Sequence, residues 1–441
     1  MQVTERAPRK EIVGWAMFDF ANSSYTTVIV TVAFSVVFPK LIVGDAPDYK
    51  LGNLLWSVGL SISYALVVLL APALGAYADA HAAKKRLLLA SWLFTVVTTA
   101  ALWLATPGQV GLAMLLLVVS NLGFALGESI VSAFLPELGP KDQLGSISGF
   151  AWGLGYVGGL LSTFVIVTVV GEQTIENFER VRLIGPMTAA FFFVAALPTF
   201  AWLRERAVPH PGAPGTSPIR ESYARLRTTL SDVRSYRDLA RFFGSLFFSM
   251  AGLSIAISFA FIYGDQVIRW SPGAQVGMFV LTNVAASVGA IAFGKLQSRW
   301  GNLRTYRLTL LVWVLAVLAI ASTTSIARLL ESVAPGITAT NVYLVVGALA
   351  GLCLGATQSS GRTIVAVFAP SSKSGEFFGF WGLFGKLAAI FGLLSLGLLQ
   401  QALGLETAIL VCAAFFAASY VLSLGVDEAR GVEAARAHDE A

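Results

Sequence analysis

Twelve apolar stretches constrain the fold of this chain more than any other feature of its sequence. Each is roughly 18 to 27 residues long, and a helix of that length spans the hydrocarbon core of a bilayer. Of the 441 residues, 56% are hydrophobic and only 12% are charged, about half the charged share of a soluble globular domain. The sequence therefore predicts an all-α membrane protein. The predicted transmembrane helices are residues 12–38, 52–78, 87–106, 110–135, 144–170, 184–203, 242–264, 273–294, 308–325, 341–366, 377–400 and 407–425.

Lysine and arginine residues are concentrated in alternate connections between the predicted helices. The connections on the side of the N-terminus hold most of them. Because cytoplasmic connections of membrane proteins are rich in lysine and arginine, we expect both termini to be cytoplasmic. This placement accounts for the net charge of +5, so the charge gives no reason to expect nucleic-acid binding. The other side holds only Lys40, Lys50, Arg180, Arg182, Arg269 and Arg328.

One long connection, residues 204–241, divides the predicted helices into two groups of six. It begins with a proline-rich segment and continues with an arginine-rich one. We therefore predict an N-terminal six-helix bundle at 1–203, a C-terminal six-helix bundle at 242–426 and a cytoplasmic tail at 427–441. Apolar residues at three- and four-residue steps between 219 and 233 indicate either an amphipathic helix on the inner membrane surface or a solvated linker.

Two short patterns recur at corresponding places in the two halves. In the first, residues 145–156 and 375–386 both contain Gly, three residues, Gly-Phe, four residues and Gly. Duplicated halves are typical of secondary transporters, although glycines at a spacing of four also arise from close helix packing. We predict that Asp79, Lys85 and Glu376 contribute to a gate rather than to a binding site. The second pattern comprises Gly75, Asp79 and Lys85 in the first half, and Gly294, Ser298 and Arg304 in the second.

Four charged residues lie inside the predicted helices. The first half contains the acids Asp19 and Glu128, and the second half contains the bases Arg362 and Lys386. A lone charge in the middle of a bilayer costs about 2.5 to 3.5 kcal/mol, so these residues are expected to pair or to face a water-filled cavity. Because three of them lie within about two helical turns of the same membrane surface, an acid paired with Arg362 could join the two halves there.

Other polar residues lie on the same helix faces as these charges. In the first predicted helix they follow Asp19 at spacings of three, four and seven residues, which places all of them on one face. Because polar faces turn away from lipid, the sequence predicts a central site that binds a solute or a coupling ion. The candidate residues are Asp19, Asn22, Ser23, Thr26, Asn121, Glu128, Gln358, Arg362 and Lys386.

Less specific interpretations of these residues stay open. The first helix could begin near Asn22, which would make Asp19 a capping residue at the membrane surface. Lys386 could extend toward the membrane surface or form a purely structural ion pair. Gln358 could hold neighbouring helices together by hydrogen bonds.

The motifs of enzymes and metal proteins are absent from the sequence. No segment matches GxxxxGK[ST], HExxH or GxSxG, so the sequence gives no sign of nucleotide hydrolysis or of hydrolase chemistry. The three histidines form no metal-ligand pattern, and Cys353 and Cys412 both lie inside predicted helices. We therefore expect neither enzymatic activity nor a cofactor or metal, and we expect an ion gradient to supply the energy.

Three segments resemble the signatures of a known family. "GWAMFDFANSSY", "GATQSSGRT" and "GEFFGF" with Gly385-Lys386 are similar to segments of the vacuole-effluxer-like branch of the major facilitator superfamily. The resemblance extends in outline over all twelve helices. It implies two pseudo-symmetric six-helix bundles, alternating access and a central cavity lined by helices one, four, seven and ten. Because the best-known member is a fungal vacuolar amino acid exporter, it also implies an amino acid-like solute.

The seventh predicted helix departs from the family pattern. Members of the family tend to carry Asp-Gly where this chain has Met250-Ala251-Gly252, so a coupling role for that acid cannot be transferred. We expect a monomeric, multi-pass protein of the bacterial inner membrane that moves a small polar or zwitterionic solute. In this hypothesis Asp19 and Glu128 receive a proton or another cation, and Arg362 and Lys386 receive a carboxylate or another anion.

Two other functions are compatible with the sequence. One is a membrane sensor that keeps the transporter fold without transporting. The other is the export of amphipathic compounds or lipids, which calls for an aromatic cavity. Aromatic residues in the seventh helix favour the latter; they are Phe247, Phe248, Phe259, Phe261 and Tyr263.

Overall fold

Long helices make up most of this protein in the computed structural model. The structure describes residues 5–45, 49–207, 209, 236–403 and 405–440. Ten helices within these ranges are long and apolar enough to cross a membrane, or eleven if the bent pair Ile409–Leu424 and Glu428–Glu440 is one span. The surface helix predicted between 219 and 233 lies outside the described residues.

Each of the twelve predicted spans coincides with one long helix. Most helices extend a few residues beyond the predicted ends, because the helical backbone continues past the hydrocarbon core. The helices are α1 (Arg9–Val43), α2 (Lys50–His81), α3 (Lys84–Leu104), α4 (Val110–Ser132), α5 (Leu144–Val170), α6 (Ile184–Trp202), α7 (Arg237–Tyr263), α8 (Pro272–Trp300), α9 (Asn302–Ala321), α10 (Ala339–Phe368), α11 (Ser374–Leu403) and α12 (Leu405–Leu424).

Several elements of the fold could not be read from apolar stretches, among them short helices at Phe178–Val181 and Thr323–Glu331. The predicted tail contains a further helix, α13 (Glu428–Glu440). In addition, α1 is not a uniform α-helix, because after Arg9–Ser24 it continues through π-helical segments at Tyr25–Val32 and Phe38–Val43, with a short α-helical stretch at Phe34–Val37 between them. Such π-helical turns within α-helices are often found at functional sites.

Two close helix crossings join the halves on the side of the membrane where α1 begins and α13 lies, called the terminal side below. An added Cβ atom at Gly75 on α2 would lie 2.0 Å from the carbonyl oxygen of Gly375 on α11. One at Gly149 on α5 would lie 2.2 Å from the carbonyl oxygen of Ala290 on α8. No side chain fits at such distances, so only glycine lets these backbones approach.

These crossings explain why two sequence patterns recur in the chain. The first pattern lies at the start of α5 and of α11, and the second at the end of α2 and of α8. Each crossing therefore joins one copy of the first pattern to one copy of the second, from the opposite half. The two copies differ in charge, because Ser298 on α8 stands where α2 has Asp79.

An acidic residue after the last helix of each half caps the third helix of that half. The Glu205 carboxylate accepts hydrogen bonds from the first two backbone N–H groups of α3, at 2.7 and 3.0 Å. The Glu428 carboxylate accepts in the same way from the first two N–H groups of α9, both at 3.0 Å. The N–H groups at the start of a helix lack partners within the helix, and a negative charge there is favourable.

We expect Glu428→Ala to lower the free energy of unfolding by about 0.5 to 2 kcal/mol, the usual cost of losing an N-terminal cap. Thermal unfolding of the purified protein in detergent measures this loss. Glu433→Ala is the matched control, because Glu433 is exposed on the same helix, and we expect it to change stability by less than about 0.5 kcal/mol. Equal effects of the two substitutions would show that the cap contributes nothing particular.

Candidate functional site

A cavity of about 360 Å³ lies between the two halves. It extends from Arg362 away from the terminal side, to Met278 near the start of α8 and Tyr343 near the start of α10. Its volume is in the range of small-molecule sites. Helices α1, α4, α7 and α10 all contribute to it, and so do α2, α5, α8, α9 and α11. The lining includes all nine candidate residues, namely Asp19, Asn22, Ser23, Thr26, Asn121, Glu128, Gln358, Arg362 and Lys386.

Contacts at the start of α11 help to close the cavity on the terminal side. The Asp79 carboxylate on α2 accepts hydrogen bonds from the backbone N–H groups of Gly375 and Glu376, both at 2.9 Å. The Lys84 ammonium donates to Ser374 Oγ at 2.6 Å. Because Asp79 and Lys84 belong to the first half and α11 belongs to the second, these bonds must break before the terminal side can open.

Lys84, rather than the predicted Lys85, lies at this contact. The Lys84 Nζ atom is buried, 2.8 Å from Glu137 and 3.6 Å from Asp79. The Lys85 Nζ atom donates instead to the carbonyl oxygen of Leu203, within its own half. Because neighbouring residues of a helix point about 100° apart, only one of the two lysines can face the other half. Lys84 therefore makes the contact with the other half in this structure, and a gating role of Lys85 stays a prediction.

A buried ion pair between Asp19 and Arg362 joins α1 to α10, with 2.7 Å between Oδ2 and Nη1. The Arg362 side chain is almost fully buried, and its guanidinium lies over the rings of Trp15, at 4.7 Å, and Trp152, at 5.2 Å. It also donates to Ser148, from Nε to the hydroxyl and from Nη2 to the carbonyl oxygen, both at 3.1 Å. A charge is tolerated inside a protein when it is paired with an opposite charge and its remaining donors are hydrogen-bonded, and the Arg362 guanidinium meets both conditions.

A second ion pair, between Glu128 and Lys386, joins α4 to α11. Its Nζ and Oε2 atoms are 3.3 Å apart, and the side chains of Lys386 and Glu128 are 19% and 24% exposed. The lysine ammonium lies over the ring of Tyr64 at 5.4 Å and over that of Phe124 at 5.9 Å. All four charges found inside the predicted helices are therefore paired between the halves, which offsets the cost of placing them in the membrane.

The structure decides two of the open interpretations. Asp19 does not cap a helix that begins near Asn22, because α1 is already helical from Arg9. Gln358 does bond to another helix, since the Tyr156 hydroxyl on α5 donates to Gln358 Oε1 on α10. Both side chains also line the cavity, so the binding role of Gln358 stays a prediction beside its bond between helices.

The other polar residues predicted for the site bond mainly within the first half. The Asn121 amide on α4 donates to Ser63 Oγ on α2 at 2.9 Å. The Ser23 hydroxyl donates to the Asp19 carbonyl oxygen at 2.8 Å, as expected within a helix. Thr26 lies in the π-helical part of α1 and is exposed.

Aromatic residues of α7 pack away from the cavity. Phe247 contacts Phe391 on α11, and Phe248 contacts Phe415 on α12, with ring centroids 5.4 and 6.0 Å apart. Neither Phe247 nor Phe248 lines the cavity, and the side chains of the two phenylalanines at 259 and 261 lie outside the described residues. The described part of α7 therefore gives little support to an amphipathic cargo.

Sequence reasoning missed the residues that surround the two cationic side chains. These residues lie within apolar runs or glycine-rich segments, where an aromatic or a serine residue carries no signal of its own. Within the described part of the chain, no group of three or more histidine, cysteine, aspartate or glutamate residues could hold a metal ion. The missed residues are Trp15, Tyr64, Phe124, Ser148 and Trp152.

Solved structures with this arrangement are membrane transporters. The human organic anion transporter MFSD10 has a TM-score of 0.70 at 16% identity, over 94% of this chain and 99% of its own. FucP in the outward conformation has a TM-score of 0.70 at 14% identity, over 94% and 98%. The proton:xylose symporter XylE has a TM-score of 0.68 at 14% identity, over 97% and 98%. This likeness shows that the chain has the fold of the major facilitator superfamily.

Sequence comparison identifies the chain as an MFS-type transporter and shows its family. Residues 56–436 match the family model described as vacuole effluxer Atg22 like. The chain belongs to this family, which confirms the resemblance noted in its signature segments. The uncharacterized MFS-type transporter YxiO of Bacillus subtilis is 25% identical over 407 residues, which cover 90% of this chain and 89% of the relative.

Fungal relatives are more distant and longer. Autophagy-related protein 22-1 of Penicillium rubens is 22% identical over 321 residues, which cover 67% of this chain and 54% of the relative. The chain spans about half the length of the fungal relatives that it matches.

Proposed function

We propose that this transporter is a secondary active carrier of a small polar or zwitterionic solute, amino acid-like, that binds in the central cavity. The observation that carries the proposal is the arrangement of its ion pairs, each with its acid in the first half and its base in the second. A solute or proton that engages one member weakens a bond between the halves. Binding is thereby linked to the rearrangement that alternating access requires.

The charges of the cavity suit a solute that carries both signs. In the proposal Asp19 and Glu128 receive a cation or a proton, and Arg362 and Lys386 receive a carboxylate. In general, burial in an apolar cavity raises the pKa of a carboxyl group, whereas a nearby cation lowers it. Moving the cation away can therefore change whether the group holds a proton. Proton coupling also has a precedent in the fold, in the proton:xylose symporter, although this analogy is one of fold alone.

The proposal includes an orientation in the membrane. We place both termini in the cytoplasm, from the distribution of lysine and arginine, and we assign a bacterial inner membrane. The terminal side is then cytoplasmic, and the cavity faces the outside in this conformation. We take the carrier to work as a monomer, since each cavity is built from the two halves of one chain.

Substitution of the acids tests the proposal. We expect Glu128→Gln and Asp19→Asn each to lower the initial rate of uptake about tenfold or more, because a hydrogen bond to a charged group contributes about 1.5 to 3 kcal/mol. An amide also binds no proton near neutral pH, so the dependence of the rate on pH should flatten. Uptake of radiolabelled amino acids into proteoliposomes, with and without a pH gradient, measures both effects.

Glu179→Gln is the control for these substitutions, because this side chain is 85% exposed and lies outside the cavity. We expect it to transport like the wild type. If both cavity variants kept the wild-type rate and pH dependence, neither acid would have the proposed role. Solute binding without any flux would favour a sensor instead.

A further inference from the structure

The Lys386 ammonium occupies a small site whose walls come from the other half of the protein. Glu128 on α4 supplies a carboxylate, while Phe124 on α4 and Tyr64 on α2 present their ring faces to Nζ. A carboxylate combined with aromatic faces is a general arrangement for binding ammonium groups. Lys386 is the only member that belongs to the second half.

The Phe124 wall of this site is held by contacts that do not involve Lys386. Phe124 and Glu128 are four residues apart on α4, so they project from the same helix face. The Phe124 ring stacks on Tyr25 of α1, with centroids 4.9 Å apart, and the Tyr25 hydroxyl is 2.8 Å from Ser120 Oγ. All of these residues belong to the first half. The Phe124 ring therefore has packing of its own that does not depend on the lysine.

The two cations of the cavity differ in how firmly they are held. The Arg362 guanidinium donates to Asp19 and to Ser148 and is almost completely buried. The Lys386 ammonium has one hydrogen bond, of 3.3 Å, in the described structure, and its side chain is 19% exposed to the cavity. An ammonium on a flexible stem also leaves its site more readily than a planar guanidinium fixed by several bonds. Lys386 is thus the exchangeable cation of the two.

We propose that Tyr64, Phe124 and Glu128 form a binding site for the ammonium group of the transported solute, in which Lys386 acts as a competing ligand carried by the protein. The inference rests on the proposed transport function and names its substrate class, compounds with a primary or quaternary ammonium group. When the solute ammonium enters the site, Lys386 is displaced toward the cavity. There it can pair with a carboxylate of the same solute.

This exchange has a consequence for transport. Without solute, α4 and α11 are joined directly by the Glu128–Lys386 ion pair. With a zwitterion bound, the two helices are joined through the solute, whose length sets their separation. A solute that has an ammonium group but no carboxylate would release Lys386 and leave it without a new partner.

The test measures binding of n-butylammonium to the purified full-length protein in detergent by isothermal titration calorimetry. We expect Lys386→Ala to bind it about tenfold more tightly than the wild type, or better, because removal of a built-in competitor raises the fraction of sites that are free to bind. Glu128→Gln in the Lys386→Ala background should abolish this binding, and Phe124→Leu should weaken it. Uncharged n-butanol should not bind at this site in any variant.

Two further variants serve as controls, one for misfolding of Lys386→Ala and one for the removal of a lysine outside the cavity. Lys386→Met keeps most of the apolar stem and should show the same gain, which covers the case in which Lys386→Ala does not fold. Lys40→Ala removes an exposed lysine outside the cavity and should leave the affinity unchanged. Affinity that stays equal or falls in both Lys386 variants would overturn the inference.

The same measurements separate this inference from the proposed function. Binding in detergent needs no gradient and no second compartment. Ammonium binding with the predicted pattern, but without uptake into proteoliposomes, would support the site and contradict transport. Uptake of solutes that lack an ammonium group, with no response to the Lys386 variants, would support transport and contradict the site.

Discussion

Arg362→Met is expected to abolish transport and to lower the free energy of unfolding by about 3 to 5 kcal/mol, the cost of removing one partner of a buried ion pair. The substitution leaves the largely buried Asp19 carboxylate without its cation. It also removes the bond from Arg362 to Asp19 on α1 and both hydrogen bonds from Arg362 to Ser148 on α5, although the hydrogen bonds between Ser359 on α10 and Ser148 stay. Thermal unfolding in detergent and uptake into proteoliposomes measure the two effects.

The double variant Asp19→Asn with Arg362→Met is the informative comparison. Because it leaves no unpaired charge in the membrane, we expect it to recover a large part of the stability lost in the single variant but none of the transport. Arg328→Met, at an exposed arginine outside the cavity, should change neither property. A single variant as stable as the wild type would mean that the pair contributes no net stabilisation.

Gly75→Ala is expected to force the terminal side of the cavity open. Its Cβ would lie 2.0 Å from the carbonyl oxygen of Gly375, a backbone atom that cannot move without moving α11. Overpacking of this kind costs about 1 to 3 kcal/mol, which corresponds to a change of about 5- to 150-fold in the ratio of closed to open protein. The Asp79 hydrogen bonds to the start of α11 should be lost together with the crossing.

Distances between spin labels report this opening directly. Arg86 at the start of α3 and Arg304 at the start of α9 are exposed, one in each half, and both lie on the terminal side. Cysteines introduced there can be labelled selectively, because Cys353 and Cys412 are buried. We expect the label-to-label distance to increase in Gly75→Ala.

Gly59→Ala provides the control for this substitution on the same helix. There the added Cβ would meet only Leu117 Cδ2, at 3.3 Å, and the end of a leucine side chain can move aside. The distance between the labels should stay as in the wild type. An unchanged distance in Gly75→Ala as well would mean that the crossing is not what holds the terminal side closed.

Much of the fold follows from the sequence because the bilayer leaves few choices. A helix that crosses it needs about 20 apolar residues, and each of the twelve apolar stretches had that length. The charged residues of the site were equally evident, because a charge within such a stretch must be paired or hydrated. The prediction that an acid pairs with Arg362 between the halves is confirmed in the structure, where Asp19 is that acid.

Other parts of the site depend on helix rotation, which the sequence does not specify. Asp19 and Glu128 lie at similar depth, and only the orientation of α1 and α4 decides which of them meets Arg362. The choice between Lys84 and Lys85 depends in the same way on where α3 begins. The π-helical segment of α1 also changes the angle between successive residues, so the regular spacing that predicted one polar face applies strictly only before Tyr25.

The division of charge between the halves bears on how the chain is made. During synthesis the first bundle enters the membrane with Asp19 and Glu128 still uncompensated, at a cost of about 5 to 7 kcal/mol on the insertion scale. The second bundle brings the matching pair of bases. Neither half therefore reaches its lowest free energy by itself, because each supplies the charges that compensate those of the other.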